Sequence, residues 1–114
     1  MLPEITVTQL AQKLKSEEKF ILLDVRELHE LNHAKLTDSR LQVTPMSRLA
    51  RKGTEALQES AKAKDAEIFV MCHHGNRSSD VTRWLAAQGW TNVFNIHGGI
   101  DAYAREIDNT VGFY

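Results

Sequence analysis

The feature that most constrains the fold is a change of period within one short stretch. Ile68-Phe69-Val70-Met71 is a short apolar run, β-branched at Ile68 and Val70, and predicts a buried strand. From Ser78 onward the apolar positions become Val81, Trp84 and Leu85, which is helical spacing. Ser78 or Ser79 is the expected cap of that helix, and Asp80 suits its first turn. Between strand and helix runs Cys72-His73-His74-Gly75-Asn76-Arg77, a polar loop with the only cysteine in 114 residues. A strand's carboxyl end meeting a helix amino end forms the crevice where open α/β sheets bind ligands.

The same alternation recurs along the chain. Ile5-Thr6-Val7 predicts a short edge strand, and Thr8 then caps a helix with Leu10 and Leu14 on its apolar side. Phe20 to Val25 is nearly continuous apolar sequence, as expected of a strand covered on both faces, with Asp24 the exception near its carboxyl end. A short helix is expected from Glu27, a weak strand at Leu41-Gln42-Val43, and a helical turn over Met46 to Ala50. Thr54 to Ala63 is helix-prone, with Ala56, Leu57 and Ala61 as its contacts. Gly89 ends the helix after the loop, and Trp90 folds back on it. Val93 to Ile96 reads as another strand, and Gly98-Gly99 turns the chain into a helix carrying Ile100, Tyr103 and Ile107. The tail Val111 to Tyr114 is apolar enough to pack on the body. Strands alternating with helices define an α/β fold, a mainly parallel sheet with helices on both faces.

Composition sets the outer limits. At 114 residues there is room for a single domain, 1–114, with one modest core. A net charge of −1 gives no electrostatic case for nucleic acid or an anionic membrane. No apolar run approaches a membrane span, and the start resembles no signal peptide. One cysteine forms no internal disulfide, so a cytoplasmic location is the default expectation.

The chemistry of the loop follows from its backbone. A tight turn containing Gly75 can aim its amides inward, the helix start adds partial positive charge, and Arg77 adds a full one. All three favour a thiolate over a thiol, which makes Cys72 a nucleophile. A lone cysteine is more often an inert core residue, but such a residue is flanked by apolar neighbours. Cys72 is followed by His, His, Gly, Asn, Arg and Ser.

Cys-x-x-Gly-x-Arg-Ser after a strand, with Leu23-Asp24-Val25-Arg26-Glu27 upstream and His97-Gly98-Gly99-Ile100 downstream, resembles the rhodanese family of sulfurtransferases. The motifs stand in that family's order and span Asp24 to Tyr103. The resemblance implies a five-stranded, mainly parallel sheet and a persulfide carried on Cys72. It further implies a small anionic sulfur donor such as thiosulfate, and cyanide, a small thiol or a protein thiol as acceptor. No cofactor or metal is called for. Arg77, the amides of Gly75, Asn76 and Ser78, and a protonated His73 or His74 would hold the donor. Read from the residues, Asp24 and Arg26 at a neighbouring strand end would pair with each other, cap the following helix or brace the loop, with Arg26 also able to meet substrate; a brace is favoured over direct catalysis. Two departures touch the pocket rim: Asn32 to Thr37 replaces the family's glycine-containing turn, and Tyr103 stands where many members carry tryptophan.

Other chemistries compete. A cysteine phosphatase or arsenate reductase uses a loop of cysteine, five residues, then arginine. Here four residues separate Cys72 from Arg77, and no flanking residue offers a general acid. His29-Glu30-Leu31-Asn32-His33 matches the His-Glu-x-x-His pattern of zinc peptidases, with Glu55 a conceivable third ligand. A helix that must start near Glu27 leaves barely two turns for it, and the longer pattern would need Gly at Leu36 and His at Ser39. A non-catalytic rhodanese-like binding or sulfur-relay module is the remaining alternative, and an intact Cys72 to Ser78 loop argues against the purely binding form.

Overall fold

The computed structural model describes residues 2–114. Five strands form one sheet in the order β1-β5-β4-β2-β3: β1 is Glu4–Ile5, β2 Ile21–Asp24, β3 Leu41–Val43, β4 Ile68–Met71 and β5 Val93–Ile96. Every pairing is parallel, and Asp24 lies beside Met71 at the carboxyl ends of β2 and β4. Alternate residues of the central strands feed two separate cores, which is why these runs are apolar throughout. Leu23, Val25, Ile68 and Val70 face one side and pack with Leu49, Val81 and Leu85. Leu22, Phe69 and Met71 face the other and pack with Val7, Leu10, Ile100 and Tyr103.

Four helices cover those faces: α1 is Val7–Lys15, α2 Met46–Lys52, α3 Asn76–Ala87 and α4 Gly99–Glu106. The caps of α1 depart from expectation. Thr6 rather than Thr8 caps it, because only Thr6 has a glutamine three residues on: its hydroxyl accepts from Gln9 N (3.1 Å), and Gln9 Oε1 accepts from Thr6 N (2.8 Å). The first strand is correspondingly shorter than Ile5 to Val7. The helix expected from Glu27 is a 3₁₀ helix, Leu28–Asn32, entered by Glu30 Oε2 accepting from Glu27 N at 2.8 Å. The segment Thr54 to Ala63 divides into two 3₁₀ turns, Gly53–Ala56 and Glu59–Lys62. Extended backbone at Leu57 and Gln58 breaks it and drops Leu57 into the core. Among the described residues no helix is long and apolar enough to cross a membrane.

Candidate active site

Cys72 follows β4 directly and is only 1 % exposed. Its side chain joins the core on the α3 side, yet the sulfur is not in apolar surroundings alone. Gly75 N donates to Sγ at 3.1 Å and Ser78 N at 3.3 Å. The expected serine cap of α3 is absent for this reason. The helix begins at Asn76, Gly75 stands at the cap position with φ +102°, and neither serine precedes the first turn. The cysteine sulfur takes the place of a capping oxygen, accepting amides that a helix start leaves without partners. Both amides aim their N–H at the sulfur, with the start of α3 behind them.

The loop keeps this shape because α4 holds it from behind. Ile100 N donates to Cys72 O (2.9 Å) and Asp101 N to His73 O (3.0 Å), so the carbonyls turn outward while the later amides turn in. Gly99 permits the approach: a β-carbon there would come 2.5 Å from both the Cys72 and His73 carbonyl oxygens.

Ser78 carries a second set of contacts. Its hydroxyl lies 3.3 Å from Cys72 Sγ and donates to Asn95 Oδ1 at 2.6 Å. Asn95, 1 % exposed in β5, is fixed in turn by donating from Nδ2 to Glu4 Oε2 (2.8 Å). With the hydroxyl proton on Asn95, a lone pair of Ser78 faces the cysteine and can accept its S–H.

The arginines are committed elsewhere. Arg26, fully buried, binds Asp24 through Nε and Nη2 (3.0 and 2.8 Å) and donates from Nη1 to Ala34 O (2.8 Å). The pair is a brace between β2 and the segment after Asn32. Arg77, expected to direct its charge at the sulfur and its donor, makes a two-pronged contact with Glu30 at 2.7 and 2.8 Å. The Arg77 guanidinium holds Glu30 down to about 2, and Glu30 pushes Arg77 up in return.

His73 is half-buried, and burial, then the neighbouring His74, push it below the ordinary histidine value. That corrects the expectation of a protonated His73 at neutral pH. His74 is exposed at the loop surface and stacks on His73 with ring centroids 3.9 Å apart. Asn76 is exposed at the first residue of α3. His73, His74 and Asp101 bring three ligand-type atoms within 4.8 Å of one another, but Asp101 Oδ2 is occupied by Arg105 Nε at 2.8 Å. The zinc-peptidase pattern is dispersed on its 3₁₀ helix: Glu30 is bound to Arg77, and Glu55 lies 3.5 Å from Lys62 Nζ.

Sequence reasoning had no place at the loop for Glu30, Asn95 or Tyr114. Asn95 was visible as the one polar residue in the β5 run, and Glu30 as the partner of Glu27 in a capping pattern. Nothing in the sequence marked Tyr114.

A parallel α/β sheet whose central strand delivers a thiol into amides at a helix start defines the class: an α/β protein built around a loop cysteine. The model of the rhodanese-like domain matches residues 6–106, and the chain belongs to that family. A sulfurtransferase of Allochromatium vinosum is 32 % identical over 105 residues, covering 92 % of this chain and 91 % of its own length. Rhodanese-like/PpiC domain-containing protein 12 of Arabidopsis thaliana is 34 % identical over 97 % of this chain. A putative sulfur carrier protein of Bacillus subtilis is 29 % identical over 87 %. The chain spans only 37 % and 49 % of the lengths of those two relatives. Among solved structures, a rhodanese-related protein of Thermoplasma volcanium superimposes with a TM-score of 0.73 at 28 % identity, covering 92 % of this chain and 93 % of that one.

Proposed function

We propose that the protein is a sulfurtransferase that carries sulfane sulfur on Cys72, taken from thiosulfate or a similar donor and delivered to cyanide or a thiol. The observation that carries the reading is the pair of amides, Gly75 and Ser78, donated to a single sulfur where β4 turns into α3. In the first step the Cys72 thiolate attacks the outer sulfur of thiosulfate. The donor's S–S bond breaks, sulfite leaves with the electron pair, and Cys72 holds a persulfide. In the second step the acceptor attacks the terminal sulfur, the bond to Sγ breaks, and the thiolate returns with its electron pair. The loop amides meet negative charge on sulfur in both resting forms, and no second cysteine competes for the persulfide.

Two features refine the reading. Arg77 is already paired with Glu30, so the donor's charge falls chiefly to the amides. The likeness to a putative sulfur carrier supports a protein thiol among the acceptors. Site roles are therefore Cys72 as nucleophile, the backbone of His73 to Ser78 as cradle, and Asp24 with Arg26 as support.

Mass spectrometry after incubation with thiosulfate tests this. The native chain should gain one sulfur on Cys72 and lose it to cyanide, while Cys72→Ser should fold, gain nothing and transfer nothing. Transfer by Cys72→Ser at the native rate would overturn the mechanism.

A further inference from the structure

The tail after α4 returns to the site. Asn109–Val111 forms a 3₁₀ turn, and Lys35 N donates to Val111 O at 3.1 Å, tying the tail to the segment after Asn32. Tyr114 then lies against the loop. Its ring is parallel to that of His73, with 3.7 Å between centroids and 5° between planes. Its hydroxyl donates to Glu30 Oε1 (2.9 Å) and accepts from Arg26 Nη1 (3.1 Å). Glu30 in turn grips Arg77. One side chain therefore reaches both ends of the loop, the residue after the cysteine directly and the last residue through Glu30.

We propose that Tyr114 is a positioning residue for Cys72, clamping the loop at His73 and at Arg77 so that the Gly75 and Ser78 amides stay aimed at the sulfur. The proposal rests on the reading of Cys72 as the sulfur carrier. α4 holds the backbone of His73 through Asp101 N, but the imidazole ring has few other anchors. Its Nε2 is buried without a hydrogen-bond partner, and its other stacking neighbour, His74, is exposed. The parallel ring of Tyr114 is the contact that fixes the imidazole plane from the body of the protein. At the other end, Glu30 is held at one oxygen by the tyrosine hydroxyl, at the other by Glu27 N, and at both by Arg77.

The test compares the native chain with Tyr114→Phe and Tyr114→Ala by amide hydrogen exchange, thermal melting and steady-state sulfur uptake from thiosulfate. In Tyr114→Ala the Gly75 and Ser78 amides should exchange faster while those of α1 do not. The saturating rate should fall about tenfold at temperatures well below melting, with KM changed less than about twofold. Tyr114→Phe keeps the ring and should restore most of the rate, leaving a loss of about threefold for the missing hydroxyl. Unchanged exchange at Gly75 and Ser78 in both variants overturns the proposal. So does an effect confined to KM, which would make Tyr114 a substrate contact, or one confined to melting, which would make it an anchor. Should the native chain take up no sulfur, the carrier reading fails, and the exchange measurement still decides whether Tyr114 clamps the loop.

Discussion

The sulfur of Cys72 has three donors or acceptors within 3.3 Å, and they differ in what a mutation can remove. Two are backbone amides, which no side-chain substitution deletes. The third is the Ser78 hydroxyl, which is also the hydrogen-bond donor that satisfies buried Asn95 Oδ1. Ser78→Ala therefore leaves a buried carbonyl oxygen without a partner and should cost about 1–3 kcal/mol in urea unfolding. The same change removes the one side-chain hydroxyl within 3.3 Å of Sγ, the acceptor for the cysteine S–H, and should slow sulfur transfer about tenfold. A stable Ser78→Ala chain with native transfer would assign catalysis to the amides alone. The cysteine and its loop were legible in the sequence because a polar run between strand and helix has a local pattern. The link from Asn95 to Glu4 was not, because that hydrogen bond spans the chain from its first strand to its last.

Among the elements, the turn from β5 into α4 has the narrowest tolerance. Gly99 lets the first amides of α4 reach the carbonyls of Cys72 and His73, and φ there is +63°. Gly99→Ala should force the loop off α4, destabilise the chain by about 1–3 kcal/mol and reduce sulfur transfer more than it reduces helicity. Circular dichroism beside a transfer assay checks this, and equal losses in both would mean that the whole helix, not the loop, had shifted. Strands and helices were readable here because burial on both faces writes continuous apolar runs, and helical spacing interrupts them. The boundaries that moved did so for local hydrogen-bonding reasons. Gln9 selected Thr6 over Thr8 as a cap, and the cysteine sulfur displaced Ser78 from the end of α3. Neither reason is visible from propensity, since both depend on which acceptor reaches a particular amide.

At the scale of the molecule, the Glu30–Arg77 pair joins the 3₁₀ helix after β2 to the start of α3, 47 residues away in sequence. Arg77 first, then the Glu27 amide and the Tyr114 hydroxyl, hold the folded carboxyl down to about 2 against 4.5 when free, so Glu30 contributes stability above pH 4.5 that is lost as pH falls towards 2. Discounted for the part of Arg77 that meets solvent, the contribution is about 2–3 kcal/mol. Urea midpoints measured from pH 5 to 2 should fall for the native chain and fall less for Glu30→Gln, which has lost the linkage already. Parallel pH dependence in the two chains would place the acid sensitivity on other carboxylates. Charge pairs of this separation carry no pattern in a single sequence, so the sequence predicts a charge at Arg77 but not its partner. The strand order β1-β5-β4-β2-β3 has a kinetic consequence as well. The sheet's middle can pair once β4 is made, but β1 must wait for β5, and the loop waits for Gly99 and then Tyr114. During synthesis Cys72 thus emerges long before the contacts that enclose it. A half-made chain carries its thiol without the amide cradle that the finished fold aims at it.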